Sequence, residues 1–308
     1  MPELCVGERS WQVAEGSNLL DALNEAGVGV PYSCRAGSCH ACLVRCLAGV
    51  PGDARPDALS EGKRLEGWRL ACQCRVESDL QVAVFDPVRD GAPARVVALD
   101  WLGAQVLRLR LQPDRPLRYQ AGQHLVLWSA QGVARPYSLA SVPGEDEWLE
   151  FHLDCRHAGA FCSAARGLQV GDLVRLGELR GGALHYDPDW QVRPLWLLAA
   201  GSGLAPLWGI VREALRQEHQ GAIRVVHVAS EAGGHYLHRE LDELARRHPQ
   251  MEVQLLIPEE LGPMRLASRQ TIALACGSAS SVERFARGLF LAGLPRNQLF
   301  ADVFVGHA

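Results

Sequence analysis

The spacing of apolar positions changes character along the chain. Near the start, LCVGERSWQVAEG suggests two short strands around a turn at Gly7 and Glu8. It leads into AEGSNLLDALNEAGV, where Leu19, Leu20, Leu23 and Ala26 recur at helical spacing. Ser17 is the expected N-cap of that helix and Gly27 its stop, so a small sheet with one helix packed on it is predicted. PVRDGAP, residues 87 to 93, reads as a linker. Beyond it, apolar and polar positions alternate in short runs: ARVVALDWLG, AQVLRLRLQ, GQHLVLWS, RPYSLAS, WLEFHLDC and DLVRLGEL. Turn residues separate them, which predicts a small antiparallel barrel. From residue 189 buried strands alternate with amphipathic helices. RPLWLLAAG is followed by LAPLWGIVREALRQEH, with Pro206 in the first helical turn. Then come AIRVVHVAS, HYLHRELDELARRH, MEVQLLIP, QTIALACG, ASSVERFARGLFLAG and LFADVF. That order predicts a doubly wound parallel sheet with a ligand at the carboxyl ends of its strands.

Composition narrows the picture. A chain of 308 residues exceeds what one core usually organises, so several domains are expected. Apolar residues make up 48% and charged residues 21%, an ordinary globular profile. The net charge of −4 gives no electrostatic case for nucleic acid as a partner. Lys63 is the only lysine, a bias that reads as codon composition. No run of about 20 apolar residues predicts a membrane span. The first residues lack the basic start and apolar run of a signal peptide, so a cytoplasmic location is expected. In that compartment the ten cysteines are expected as thiols or ligands.

Three of those cysteines fall in CRAGSCHAC, residues 34 to 42, and two more in LACQC, residues 70 to 74. Cys34-x4-Cys39-x2-Cys42 followed by a distant cysteine is the plant-type [2Fe–2S] arrangement. The small residues Ala36, Gly37, Ser38 and Ala41 let the backbone wrap a cluster and aim N–H groups at its sulfurs. Structural zinc pairs two C-x-x-C-like elements, and Cys72-x-Cys74 is too tight for that. A Rieske centre needs two histidines where the loop has only His40, which is read as an exposed loop residue. Cys5 and Cys46 are read as ordinary thiols. The loop resembles that of the plant-type ferredoxins, C-R-x-G-x-C-x-x-C. The resemblance implies that Cys72, in the L-x-C segment Leu70-Ala71-Cys72, completes the set Cys34, Cys39 and Cys42, and that Cys74 does not.

Inside the predicted barrel lies ARPYSLAS, residues 134 to 141. Alone, R-x-Y-S is equally a strand with two polar side chains. With AGQHL before it and GAFCSAARGLQVGDLVRLG after it, the set resembles the ferredoxin reductase family, in which R-x-Y-S binds FAD. The resemblance implies that Arg135 neutralises the flavin pyrophosphate, Tyr137 stacks on the ring and Ser138 bonds near N5. It also implies a phosphate loop over Gly159, Ala160, Phe161, Cys162 and Ser163. Cys162 stands at the usual serine position, which puts that side-chain hydrogen bond in doubt; it is read as a small space-filling residue.

In the last segment AAGSGLAP, residues 199 to 206, is a glycine-rich strand-to-helix turn, equally compatible with a purely structural role. With LACGSASSVERF further on, it resembles the reductases' G-T-G-x-A-P and C-G-P segments. That resemblance implies nucleotide binding by Gly201, Ser202, Gly203, Cys276 and Gly277, with an uncharged Cys276 close to hydride transfer. Ser202 replaces threonine, and Ser278 replaces a proline and is expected to loosen its loop. After the second strand, SEAGGHYLHRE places Glu231 first and no arginine before Arg239, which favours NADH over NADPH. Glu231 is equally compatible with a solvated loop.

The chain is therefore read as a multidomain α+β and α/β protein. The expected parts are a ferredoxin-like β-grasp domain over 1–86, an FAD-binding antiparallel β-barrel over 93–188 and an NAD-binding doubly wound domain over 189–308. The order resembles the reductase components of multicomponent bacterial oxygenases. It implies transfer from NADH through FAD and a [2Fe–2S] cluster to a protein acceptor, with Ser138 and Cys276 as the expected catalytic residues. Rival readings are the same electron chain serving a deoxysugar dehydratase, a ferric or quinone reductase, and a non-enzymatic redox sensor.

Overall fold

The structure, a computed structural model, describes residues 1–156 and 159–305. The last three positions of the expected third segment lie outside the described residues. The chain forms two compact units. One comprises Met1–Pro93, Val126–Pro136 and Arg175–Arg180; the other comprises Ala94–Leu125, Tyr137–Val174 and Gly181–Ala308.

The first unit holds a five-stranded sheet in the order Arg9–Gln12, Glu3–Val6, Leu80–Val84, Leu43–Ala48, Trp68–Leu70. Glu3–Val6 and Leu80–Val84 run parallel while the other neighbours are antiparallel, the mixed sheet of a β-grasp. The expected helix spans Leu19–Glu25 and buries Leu19, Leu20, Ala22 and Leu23. Truncating Leu23 to alanine costs about 3 kcal/mol in such a packed position. Its N-cap is Asn18, not Ser17. Ser17 pairs with Val76 in a short strand, and Asn18 Oδ1 accepts from the Asp21 N–H at 3.3 Å. Gly27 ends the helix with φ +73° as expected. The core continues onto Val126, Trp128 and Ala134. Phe85 stacks on Trp128 at 5.4 Å and lies 6.0 Å from Trp68. Each such ring pair adds about 1 kcal/mol beyond its buried area.

The alternating runs of the middle segment make strands in both units. Mainly within the first unit the order is Ala134–Ser138, His124–Trp128, Leu173–Arg180. Within the second it is Ala92–Leu102, Val106–Pro113, Leu149–Asp154, all antiparallel.

The second unit also contains the doubly wound sheet. Its strands are parallel in the order Met251–Leu256, Ile223–Val228, Leu195–Ala200, Ile272–Ser278, Leu299–Phe304. Helices Leu204–Arg216, His238–Arg247 and Ala279–Leu291 complete the alternation. The chain order reverses between Leu195–Ala200 and Ile272–Ser278, so the ligand crevice of this topology falls at the ends of those two strands. Among the described residues no helix is long and apolar enough to cross a membrane.

Candidate cofactor sites

The cysteine loop has no regular secondary structure between Val30 and Cys42. Arg35, Gly37 and His40 take left-handed φ values of 51°, 78° and 56°, which coil the backbone inward. The N–H groups of Ala36, Ser38 and Cys39 all donate to Cys34 Sγ, at 3.3 to 3.4 Å. The Cys39 side chain bonds the same sulfur, and together these donors lower the Cys34 pKa to about 4. Cys42 and Cys72 form a second hydrogen-bonded pair, which lowers Cys72 to about 7 while Cys42 is pushed up. Gln73 Nε2 donates to Cys72 Sγ at 3.3 Å and to the Arg35 carbonyl at 3.0 Å, tying the distant cysteine to the loop. Cys74 is fully buried, and burial raises its pKa. Among the described residues no three His, Cys, Asp or Glu side chains converge on one metal position. Two pairs of thiols suit a cluster of two irons, each needing two terminal thiolates, better than a single zinc.

His40 departs from expectation. It is 3% exposed, and its Nδ1 lies 2.6 Å from Glu178 Oε2 on the strand Leu173–Arg180. His40 combines a left-handed backbone with a buried side chain, and the carboxylate supplies a partner for its Nδ1. Cys5 and Cys46 are half-buried thiols, as expected.

Strand Ala134–Ser138 places Arg135 and Tyr137 on one face and Ser138 on the other. Arg135 Nη1 donates to the Ala134 carbonyl at 2.7 Å, and no carboxylate pairs with this guanidinium among the described residues. That leaves a bidentate cation free for a phosphate. The Tyr137 ring packs against Phe161 at 5.1 Å, and Ser138 is buried. Helix Ala160–Arg166 begins after Gly159 without a side-chain cap. Cys162 does more than fill space. Its thiol donates to the Asp154 carbonyl at 3.0 Å and is hydrogen-bonded to Cys155 and Tyr137.

At the strand reversal the crevice is lined by backbone. A Cβ on Gly203 would lie 2.3 Å from the Cys276 carbonyl oxygen, and one on Gly277 2.7 Å from Ala200 Cβ. Gly277 also has φ +149°, so only glycine fits both demands. Gly201, Ser202 and Gly203 form a single tight turn into helix Leu204–Arg216. Cys276 is wholly buried, and burial pushes its thiol pKa well up, keeping it uncharged as expected. Ser278 does not loosen its loop: its hydroxyl accepts from the Ser281 N–H at 3.3 Å and caps helix Ala279–Leu291.

Glu231 is exposed and accepts a hydrogen bond from Gln105 Nε2 at 2.9 Å. Two neighbours of this crevice were not legible in local sequence. Arg156 is held by Asp154 and donates to Ser230 Oγ at 3.2 Å, so a guanidinium does stand at the end of the second parallel strand. His227 bonds the Gly201 carbonyl at 3.0 Å. Neither carries a motif; each meets a partner far away in the chain, Arg156 at Ser230 and His227 at Gly201.

Fold and sites together define a flavin- and pyridine-nucleotide-dependent electron carrier with an iron–sulfur domain. Comparison with known proteins agrees. Residues 6–77 match the 2Fe-2S iron-sulfur cluster binding domain, 102–184 the oxidoreductase FAD-binding domain, and 197–260 the oxidoreductase NAD-binding domain. The chain is 33% identical over 273 residues to the reductase subunit of an aromatic O-demethylase from Amycolatopsis, covering 84% of this chain and 81% of the relative. It is 29% identical over 319 residues to reductase component 1 of terephthalate 1,2-dioxygenase from Comamonas, covering 96% and 94%. In structure it is similar to an Amycolatopsis cytochrome P450 reductase, with a TM-score of 0.65, 25% identity and 99% of each chain covered. The chain belongs to the NAD(P)H-dependent ferredoxin reductase family with an N-terminal plant-type [2Fe–2S] domain. It is an NADH-dependent oxidoreductase whose cofactors are FAD and a [2Fe–2S] cluster.

Proposed function

We propose that this protein is the reductase component of an oxygenase system, drawing electrons from NADH and delivering them to a terminal oxygenase in the cytoplasm. The observation that carries the last step is the cluster loop itself. Arg35, Ala36 and Ser38 are exposed, and the N–H groups of Ala36 and Ser38 bond Cys34 Sγ, so one thiolate of the set lies just beneath the surface. The similarity to oxygenase reductase components over nearly the whole chain supports the choice of acceptor. The 25% identity over 318 residues to a deoxyhexulose dehydrase reductase from Yersinia pestis supports the second reading, a deoxysugar dehydratase as acceptor.

When bound, NADH and FAD supply two-electron chemistry and its division into single electrons, and the cluster supplies a one-electron carrier. The chain positions and tunes them. Cys34, Cys39, Cys42 and Cys72 hold the irons, and backbone N–H groups around Cys34 stabilise charge on sulfur. Arg135 would neutralise the flavin pyrophosphate, the backbone of residues 159–163 would receive phosphate, Tyr137 would flank the ring and Ser138 would present a hydroxyl to it. Gly201, Ser202, Gly203 and Gly277 admit the nucleotide backbone-close, with Glu231 on the ribose. Cys276, buried and uncharged, shapes the crevice beside the nicotinamide. These roles fall in domains of residues 1–86, 93–188 and 189–308.

The test compares two acceptors. Holoprotein should oxidise NADH with either ferricyanide or cytochrome c. Cys72→Ser, which removes one iron ligand, should keep ferricyanide reduction and lose cytochrome c reduction. No NADH turnover at all by holoprotein sinks the enzyme reading; undiminished cytochrome c reduction by the variant sinks the cluster as the exit.

A further inference from the structure

Two cysteines of the second unit are left over from the electron path. Cys155 follows strand Leu149–Asp154, and Cys162 lies in the first turn of helix Ala160–Arg166. The Cys155 thiol hydrogen-bonds the Cys162 sulfur. Both are anchored locally. Cys162 Sγ reaches the Asp154 carbonyl at 3.0 Å, while the Cys155 carbonyl accepts from Arg166 Nη2 at 2.6 Å. Their exposure differs: Cys155 is 1% exposed, whereas Cys162 is only half-buried. One cysteine is therefore partly exposed and its partner is buried, the asymmetry of an attacking and a resolving thiol.

The surroundings activate the accessible member. The hydrogen bond from Cys155, aided by one from Tyr137, holds Cys162 down at about 7 against the opposing effect of burial. That lowering favours loss of the proton that Cys162 shares with the Asp154 carbonyl, which gives the thiolate, the nucleophilic form.

We propose that Cys155 and Cys162 form a redox-active dithiol that hydrogen peroxide closes to a disulfide. The Cys162 thiolate attacks one peroxide oxygen; the O–O bond breaks and the departing hydroxide takes a proton to become water. Cys162 is left as a sulfenic acid. Cys155 gives up its proton and attacks that sulfur; the S–O bond breaks, the S–S bond forms and a second water leaves. The two thiols lose two protons and two electrons, and the peroxide gains them.

Closing the bond draws Cys162 away from Asp154 and Tyr137 and shifts the start of its helix. The consequence, weaker retention of FAD, rests on the proposed placement of the flavin phosphate at residues 159–163. Formation of the disulfide does not.

The experiment uses the holoprotein. It is titrated with hydrogen peroxide, denatured, alkylated and mapped by peptide mass, while FAD passing a filter is measured by fluorescence. The expected result is a cross-link between the peptides bearing Cys155 and Cys162, reversed by dithiothreitol and accompanied by a several-fold rise in free FAD. Recovery of both cysteines as alkylated free thiols while other cysteines oxidise overturns the proposal, as does Cys162 carried to the sulfinic acid without a cross-link. Cross-linking without FAD release supports the dithiol and overturns only the phosphate placement. In Cys155→Ala the cross-link should vanish and FAD retention should no longer respond reversibly to peroxide; an unchanged reversible response overturns the assignment.

Discussion

The Nε2 of His227 lies 3.0 Å from the carbonyl oxygen of Gly201. His227 is wholly buried on strand Ile223–Val228, and Gly201 opens the tight turn expected to meet the dinucleotide pyrophosphate. Burial drives the imidazole pKa down to about 4, so the ring is neutral in use and its Nε2–H donates to the carbonyl. The histidine thus fixes one end of the glycine turn. His227→Phe keeps the volume and deletes the bond, a loss of about 1 kcal/mol. If it is felt in nucleotide binding, KM for NADH rises about fivefold with kcat little changed. Steady-state kinetics with ferricyanide as acceptor checks this, and a fall in kcat at constant KM would contradict it.

The same histidine makes stability depend on pH. Its folded pKa is about 4 against an ordinary 6.5, so between those values the unfolded chain binds a proton that the folded one refuses. Stability is unaffected above 6.5 and falls as the pH drops below it. The loss should be about 2 kcal/mol by pH 5. Urea unfolding of the wild type and of His227→Phe at pH 7 and pH 5 tests it. The variant should lose clearly less stability across that interval.

His40 and Glu178 tie the cysteine loop to strand Leu173–Arg180. Burial is the largest single influence and would raise the Glu178 pKa. The hydrogen bond and charge of His40, together with Arg180 and Lys63, outweigh it, and the carboxyl is held below its ordinary value. Glu178→Ala leaves His40 buried with Nδ1 unpartnered, at a cost of about 1–3 kcal/mol. The expected result is a lower melting temperature of the first unit and faster bleaching of cluster absorbance on warming. Glu178→Gln, which can still accept, should recover most of the loss. Bleaching at the wild-type rate in Glu178→Ala would show that the contact does not support the loop.

What the sequence disclosed and what it hid divide by distance along the chain. The iron-ligand spacing was legible because three of the four cysteines share nine residues, and the parallel sheet because each strand and helix carries its own periodicity. His40 was misread because its burial depends on Glu178, 138 positions away. Ser17 has the right chemistry for an N-cap, but the helix begins only at Leu19, so Asn18, the second residue of the same short strand, holds the capping position. Cys162 looked like a substituted serine because no local pattern pairs it with Cys155, seven positions earlier. Arg156 was invisible as a neighbour of Ser230 for the same reason: no local pattern says which strand ends a fold will bring together.

The choice between Cys72 and Cys74 is open to a direct test. Cys72 shares a hydrogen bond with Cys42 and accepts one from Gln73, whereas Cys74 is sealed at 0% exposure among Asp53, Cys46 and Arg69. Cys72→Ser should abolish the visible absorbance of the [2Fe–2S] cluster. Cys74→Ser should retain it and cost about 1–2 kcal/mol through the buried hydroxyl alone. The reverse pair of spectra would exchange the two assignments.

Coenzyme choice turns on two opposed charges at the end of strand Ile223–Val228. Glu231 is exposed and held by Gln105, a carboxylate where a 2′-phosphate would have to sit. Arg156 stands beside it on Ser230, its charge largely committed to Asp154. The carboxylate therefore decides against the phosphate while the arginine waits as a latent partner. Glu231→Gln removes the repulsion and keeps the Gln105 contact through its amide oxygen. That should raise kcat/KM for NADPH about tenfold, equivalent to about 1.4 kcal/mol, and leave NADH within about twofold. Adding Arg156→Gln should cancel the gain. Parallel NADH and NADPH titrations of the wild type, the single variant and the double variant decide it. If NADPH use is no better in Glu231→Gln, discrimination lies elsewhere in the crevice.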